Sequence, residues 1–81
     1  ASYSGRATIV ERLARWLVQA SQRLGARQLT FTHDALAEIL GVRRPSVTTS
    51  LQMLEGQRLI RATRRTIVVL DLEGLIRLSS R

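Results

Sequence analysis

The first stretch of apolar residues predicts a long amphipathic helix. In "RATIVERLARWLVQASQRLG" the apolar residues recur every three or four positions, which is helical spacing. The helix is predicted over about residues 7–24, with Gly25 ending it and Trp16 in the core. The predicted inward stripe consists of Ile9, Leu13, Trp16, Leu17, Ala20 and Leu24.

A short strand and a second helix are predicted next. In "QLTFT" Leu29 and Phe31 alternate with polar residues, as in a strand with one buried side. Thr32 then suits an N-cap, because its hydroxyl can accept a hydrogen bond from a free backbone N–H. Gly41 suits the end of this helix, since glycine adopts the left-handed conformation easily. The predicted inward stripe is Leu36, Ala37, Ile39 and Leu40.

A third helix is predicted over about residues 44–56, directly after a tight turn. Pro45 is tolerated in its first turn, where the missing N–H would have no partner. Val47, Leu51 and Leu54 would face the core, and Gly56 would end the helix.

The remaining residues predict a hairpin and a short last helix. Two apolar runs flank a basic tip within residues 58–70, and the tip has no Gly or Asn for a type I′ turn. Asp71 can cap the last helix, which would pack through Leu72, Leu75, Ile76 and Leu78. The order of elements predicts an α+β, mainly α fold: a winged helix-turn-helix with three helices, a small β-sheet with a hairpin wing, and a short C-terminal helix.

The charge indicates a polyanionic partner. Thirteen arginines and no lysine stand against six carboxylates, a net charge of +7. Residues 43–65 alone carry a net charge of +5, from six arginines and Glu55. With no cysteine and one histidine, disulfides, thiolate metal sites and a catalytic constellation are not expected, and neither is an enzyme.

The start of the third helix carries the strongest functional indication. Arg43 and Arg44 lie at the positive end of the helix dipole, which repels them unless a negative partner is near. The second helix of a helix-turn-helix enters the DNA major groove, so double-stranded DNA is the predicted partner. The expected contacts on this helix and the hairpin tip are Arg43, Arg44, Pro45, Ser46, Thr48, Thr49, Gln52, Arg64 and Arg65.

Three segments together resemble a known family. They are "LTFTHDALAEILGVRRPSV", "LQMLEGQRLI" and "TIVVLDLEGL", which cover about residues 28–75. They resemble the C-terminal DNA-binding domain of Crp/Fnr-family bacterial transcription regulators. The resemblance implies that Arg44 contacts a base, that Ser46 supplies a hydroxyl, and that Thr32 and His33 contact the DNA backbone. It also places Thr63 and Arg65 at the wing tip.

Two positions depart from the family's pattern. Many members have a carboxylate directly after the base-contacting arginine and a second arginine four residues later. Pro45 and Thr49 occupy those places here. The family's usual base preference is therefore not expected.

The resemblance also implies a larger cytoplasmic protein. Family members are homodimers whose N-terminal sensor binds a cyclic nucleotide, a haem, an iron–sulfur cluster or another signal. Residues 1–81 are accordingly expected to be one domain, the output half of such a regulator, without a cofactor of its own. RNA polymerase is a further expected partner, and the 81-residue chain alone is expected to be mainly monomeric.

Other functions remain open from the sequence. A winged helix can instead be a protein–protein interaction module, although such a module does not need a basic helix and wing. No run of about 18 apolar residues suggests a membrane span, and the apolar face of residues 7–24 is needed for the core. RNA is a weaker alternative, because single-strand binders usually stack bases on exposed aromatic side chains, and the chain has only three aromatic residues.

Overall fold

The computed structural model describes residues 8–80 of the chain. These residues form four helices and one three-stranded antiparallel sheet, so the predicted winged helix-turn-helix is confirmed. Residue 7, the predicted start of the first helix, lies outside the described residues, and that helix begins at Ile9. The elements are α1 (Ile9–Leu24), β1 (Gln28–Thr30), α2 (His33–Leu40), α3 (Arg44–Gly56), β2 (Ile60–Ala62), β3 (Thr66–Val69) and α4 (Leu72–Ser79).

The helix ends follow the predicted capping residues. The Thr32 hydroxyl accepts a hydrogen bond of 3.0 Å from the Ala35 backbone N–H at the start of α2. The Asp71 carboxylate accepts one of 3.0 Å from Gly74 N–H at the start of α4. Gly41 ends α2 with φ 70°, in the left-handed region. Thr32 and Gly41 thus fix both ends of α2, and Asp71 fixes the start of α4.

The end of α3 differs in detail from the prediction. Gly56 is the last helical residue, but the residue in the left-handed conformation is Arg58, with φ 60°. Leu59 N–H donates to the Leu54 carbonyl at 3.1 Å, the long hydrogen bond of a Schellman motif. The left-handed residue of the motif therefore lies two residues beyond the glycine, and the next residue, Leu59, is buried in the core.

The hairpin is the predicted wing, with shorter strands than the full range 58–70. The sheet order is β1-β3-β2, and Leu29 pairs with Ile67 while Ile60 pairs with Val69. At the tip, Thr63 N–H donates to the Thr66 carbonyl at 2.8 Å. Neither residue between them has a positive φ, so the tip is not a type I′ turn, as expected without glycine.

One hydrophobic core joins the helices to the sheet. Its fully buried side chains include Leu13, Leu17, Leu36, Leu51, Leu54 and Leu75, and α1 packs against both α3 and α4. Burial of this many leucines is the main stabilising contribution in so small a domain. Within residues 8–80 no helix is long and apolar enough to cross a bilayer.

Three predicted core positions were wrong. Leu24 is 63% exposed and Ile39 is 48% exposed, and Ile76 is also exposed. Leu24 is the last residue of α1, and the last buried residue of that helix is Ser21. Ile39 and Ile76 lie outside the narrow face that an eight-residue helix buries, since α2 buries Leu36, Ala37 and Leu40 and α4 buries Gly74, Leu75 and Leu78.

Trp16 is only partly in the core. Its ring is half-buried and packs edge-to-face against Phe31, with ring centroids 4.8 Å apart. It therefore joins α1 to the segment before α2 at the margin of the core.

Candidate nucleic-acid interface

The turn between α2 and α3 sets the direction in which α3 begins. Gly41 and Val42 N–H groups close the end of α2, the latter donating to the Ala37 carbonyl at 3.0 Å. From α1, the Arg12 guanidinium donates a hydrogen bond to the carbonyl of Leu40. Arg12 of α1 therefore caps the end of α2 and holds the helix-turn-helix pair against α1.

The first turn of α3 presents positive charge to solvent. Arg43 and Arg44 are exposed, and the N-cap Arg43 makes no side-chain cap. No acidic residue lies in this turn, and Pro45 occupies one of its first positions. The positive end of the helix dipole and two guanidinium groups thus lie together, which favours an anion in front of them.

Arg44 has one carboxylate neighbour. Its Nε lies 3.7 Å from Oδ1 of Asp34 in the first turn of α2, the single ion pair within residues 8–80. The two side chains are 64% and 77% exposed, so solvent screens the pair strongly. The proximity of Asp34 to Arg44 was not predicted from the sequence, because no helical spacing connects residues 34 and 44. Only the packing of α2 on α3 brings them together.

The wing tip lies beside this pair. A shallow pocket is lined by side chains from the start of α2, the start of α3 and the tip of the hairpin. Its residues are Thr32, His33, Asp34, Arg44, Arg64 and Arg65. The structure therefore brings together five of the predicted interface residues, three of them arginines, from segments far apart in the chain.

A second pocket separates α3 from the wing. Thr48 and Gln52 lie on its helix side, and Thr63 and Arg64 lie on its wing side. His33 also lines it, and its Nδ1 is hydrogen-bonded to the Thr48 hydroxyl at 2.8 Å. This hydrogen bond joins two residues that were both predicted to contact DNA. It leaves His33 Nε2 for another partner.

Two contacts hold the wing in place. The Glu55 carboxylate accepts a hydrogen bond of 3.2 Å from Ala62 N–H, which ties β2 to the end of α3. At the tip, the Thr63 hydroxyl donates to the Thr66 carbonyl at 3.3 Å. Glu55 was missed as a positioning residue because the sequence shows only a carboxylate near the end of a helix. Thr63 stabilises the tip rather than extending a free hydroxyl from it.

Three other predicted residues lie on the flank of α3 that is farther from the wing. Pro45, Ser46 and Thr49 line a shallow groove shared with Ile9 at the start of α1. The residues that depart from the family's pattern thus share one flank of the helix, and Arg44, Thr48 and Gln52 share the flank nearer the wing. Arg43 lines none of these pockets, and its side chain is exposed at the turn before α3.

The chemistry of this surface is that of anion binding. Within residues 8–80, no group of three or more His, Asp or Glu side chains is arranged to hold a metal ion. The convergent groups are guanidinium donors, hydroxyls, an amide and an imidazole, which bind phosphate oxygens and base edges.

Comparison with known proteins identifies the family. Residues 11–78 match the model of the Crp-like helix-turn-helix domain, which covers most of the chain. The chain belongs to this family. A comparison with curated protein sequences finds no significant match.

Solved structures agree with this assignment. A Crp/Fnr-family transcriptional regulator from Eubacterium rectale superposes with a TM-score of 0.87 at 27% identity, over 91% of this chain and 34% of that one. A Crp/Fnr-family regulator from Thermus thermophilus gives 0.84 at 31% identity, over 91% and 41%. The CO-dependent transcription factor CooA from Carboxydothermus hydrogenoformans gives 0.77 at 27%, over 86% and 36%.

These matches define the kind of protein at hand. The chain is a helix-turn-helix DNA-binding domain of the kind found in Crp/Fnr-family transcriptional regulators, and the alternative of a protein–protein interaction module is not favoured. The chain spans about a third to two fifths of the length of these three structures.

Proposed function

We propose that the chain binds double-stranded DNA in a sequence-specific manner, with α3 in the major groove and the β2–β3 hairpin as the wing. The observation that carries the proposal is the convergence of Arg44, Arg64 and Arg65 with the start of α2 around one pocket. Three cations gathered from the start of α3 and the wing tip repel one another and gain most from a polyanion that they contact together.

The first turns of α3 would contact base edges. Arg44 can donate two parallel hydrogen bonds to O6 and N7 of a guanine, the commonest specific contact of an arginine in the major groove. Thr48 and Gln52 follow on the same flank and can supply a hydroxyl and an amide. Ser46 can donate to a phosphate or a base, and Arg43, which projects alone, suits a phosphate.

The residues beside α3 would contact the DNA backbone. Arg64 and Arg65 at the wing tip can reach an adjacent stretch of phosphates or a minor groove. Thr32 and His33 at the start of α2 line the same pocket, and when Nδ1 accepts the hydrogen bond of the Thr48 hydroxyl, His33 Nε2–H can donate to a phosphate oxygen. Such contacts orient the domain without selecting a sequence.

Pro45 and Thr49 would make the operator differ from the family's commonest one. A carboxylate accepts a hydrogen bond from cytosine N4 and an arginine contacts guanine, but Pro45 and Thr49 can do neither. Pro45 offers an apolar ring to a thymine methyl, and Thr49 offers a hydroxyl or a methyl. The two residues line the same flank of α3, so neighbouring base pairs would lose discrimination together.

The whole regulator would be a cytoplasmic bacterial homodimer. This chain would be its output domain, without catalytic activity or a cofactor of its own, and a separate sensor domain would bind a cyclic nucleotide or another signal. Two copies would contact half-sites one helical turn apart, ~34–36 Å. RNA polymerase is a further partner under this proposal, whereas the 81-residue chain alone would be mainly monomeric.

The salt dependence of binding tests the proposed surface. We would compare a triple variant of the interface arginines, Arg44→Gln, Arg64→Gln and Arg65→Gln, with a control variant of equal net charge. The control carries Arg23→Gln, Arg27→Gln and Arg77→Gln, which change exposed arginines outside the interface pockets.

The interface variant should lower the slope of log K against log salt by about 2, since Arg64 and Arg65 each lose a phosphate contact that contributes ~0.9, whereas Arg44 contacts a base. The control variant should keep nearly the full slope. Equal losses in the two variants would mean that the net charge, and not this surface, attracts the DNA.

A further inference from the structure

The ion pair between Arg44 and Asp34 uses only one edge of the guanidinium group. The Asp34 carboxylate oxygen lies 3.7 Å from Nε, which is longer than a hydrogen bond but close enough for direct electrostatic attraction. Arginine has two pairs of parallel donors, one of which includes Nε and one formed by the two Nη groups. The Asp34 carboxylate lies nearest the Nε edge, and the Nη pair makes no ion pair or hydrogen bond with another residue within residues 8–80.

This arrangement has different consequences for a base and for a phosphate. A guanine can accept both hydrogen bonds from the two Nη groups while Asp34 stays beside Nε, and the carboxylate then favours that orientation of the guanidinium plane. A phosphate carries a full negative charge that Asp34 repels. To bind a phosphate through its Nε edge, Arg44 must leave Asp34.

We propose that Asp34 is a specificity-determining, positioning residue: it holds Arg44 for base contact and disfavours the use of Arg44 as a phosphate contact. This inference rests on the proposed function, in which Arg44 contacts a base. It adds a residue from α2 that influences DNA binding only through its effect on Arg44.

The position of Asp34 makes this role particular to it. Asp34 is the single carboxylate in the pocket that also holds Arg44, Arg64 and Arg65. Glu38, one turn further along α2, is also an exposed carboxylate, but it lines none of the interface pockets. A general electrostatic effect on DNA binding would be shared by the two residues, whereas an effect through Arg44 belongs to Asp34 alone.

The test compares Asp34→Asn with the matched control Glu38→Gln, each alone and each in an Arg44→Ala background. The probes are a duplex recovered from a random pool by the 81-residue chain and an unrelated duplex of equal length. Fluorescence anisotropy at constant salt gives the dissociation constant of each pair, and the ratio of the two constants measures specificity.

Asp34→Asn should raise the affinity for the unrelated duplex roughly two- to fivefold, the range of an exposed ion pair. The affinity for the selected duplex should rise less, so the specificity ratio falls by about the same factor. Glu38→Gln should leave the ratio unchanged. In the Arg44→Ala background, Asp34→Asn should no longer change the specificity ratio.

Two results would overturn the inference while leaving the proposed function intact. An unchanged ratio in Asp34→Asn would show that its charge acts on all DNA alike. A fall in the ratio that persists without Arg44 would show that Asp34 acts independently of it. If Arg44→Ala alone caused no loss of base preference, the assignment of Arg44 would be wrong, and this inference would be overturned with it.

Discussion

His33 at the start of α2 and Thr48 in the middle of α3 are joined by a hydrogen bond of 2.8 Å between Nδ1 and the hydroxyl oxygen. The bond is partly buried and connects residues 15 positions apart in the chain. It fixes the first helix of the pair against the side of the second helix that is nearer the wing. Since both residues also line the pocket between α3 and the hairpin, the bond sets the shape of the proposed interface.

Thr48→Val should therefore destabilise the domain by about 0.5–1.5 kcal/mol. The substitution keeps the shape of the side chain but removes the partner of the partly buried His33 nitrogen. Thr49→Val is the matched control, because Thr49 is exposed and its hydroxyl makes no hydrogen bond to another described residue. Urea unfolding of the two variants measures the difference, and equal stabilities would show that the bond contributes nothing in solution.

Arg44→Ala should weaken binding to the preferred duplex by about 1–3 kcal/mol and relax the preference at one base pair. The side chain lies in the first turn of the proposed groove helix, and its Nη groups make no ion pair or hydrogen bond within residues 8–80. Arg43→Ala serves as the comparison, since a phosphate contact should weaken binding to all sequences alike. Binding to a set of duplexes with single base-pair changes distinguishes the two patterns; uniform weakening by Arg44→Ala would make Arg44 a phosphate contact.

Arg65→Ala should weaken binding about equally on all sequences and lower the salt slope by about 1. Arg65 lies at the wing tip, where the backbone adjacent to the groove would pass. Arg77→Ala is the control, since it removes an exposed arginine from α4, which packs on α1 and lies outside the interface pockets. An unchanged slope for Arg65→Ala, measured between low and moderate salt, would place the wing tip off the DNA.

The same substitution should have opposite effects at two glycines. Gly56→Ala should stabilise the domain by about 0.5–1 kcal/mol, because Gly56 is helical, has no positive φ and leaves room for a Cβ. Gly41→Ala should destabilise it by about 1 kcal/mol, because its φ is +70° although nothing lies within 4 Å of the new Cβ. Thermal unfolding compares them, and stabilisation by both would contradict the left-handed turn at Gly41.

Most of the fold could be predicted because it depends on local sequence. Thr32, Gly41 and Asp71 mark helix ends through contacts within a few residues, and the order of elements then allows few arrangements. Burial was predicted less well. Ile39 is apolar and close to the expected stripe, but which face of a short helix packs depends on its neighbours in space.

The proposed interface was predictable only as a set of residues near one helix and one hairpin tip. Periodicity indicates which side of α3 faces the core, so the remaining side could be listed from the sequence. The sequence did not show which of these residues lie toward the wing and which lie toward α1. The partners of Arg44 and Thr48 could not be predicted from the sequence either, because Asp34 and His33 reach α3 only through the packing of two helices.

Selection of bound duplexes from a random pool is the most direct test of sequence-specific DNA binding by this chain. It should return a half-site with one firmly preferred guanine, contacted by Arg44, and two positions near Pro45 and Thr49 that tolerate several bases. The same selection with Arg44→Ala should lose the preference for that guanine. Recovery of no preferred sequence would contradict sequence-specific binding. Recovery of the family's commonest half-site, fully discriminated at every position, would contradict the assignment of these side chains to bases.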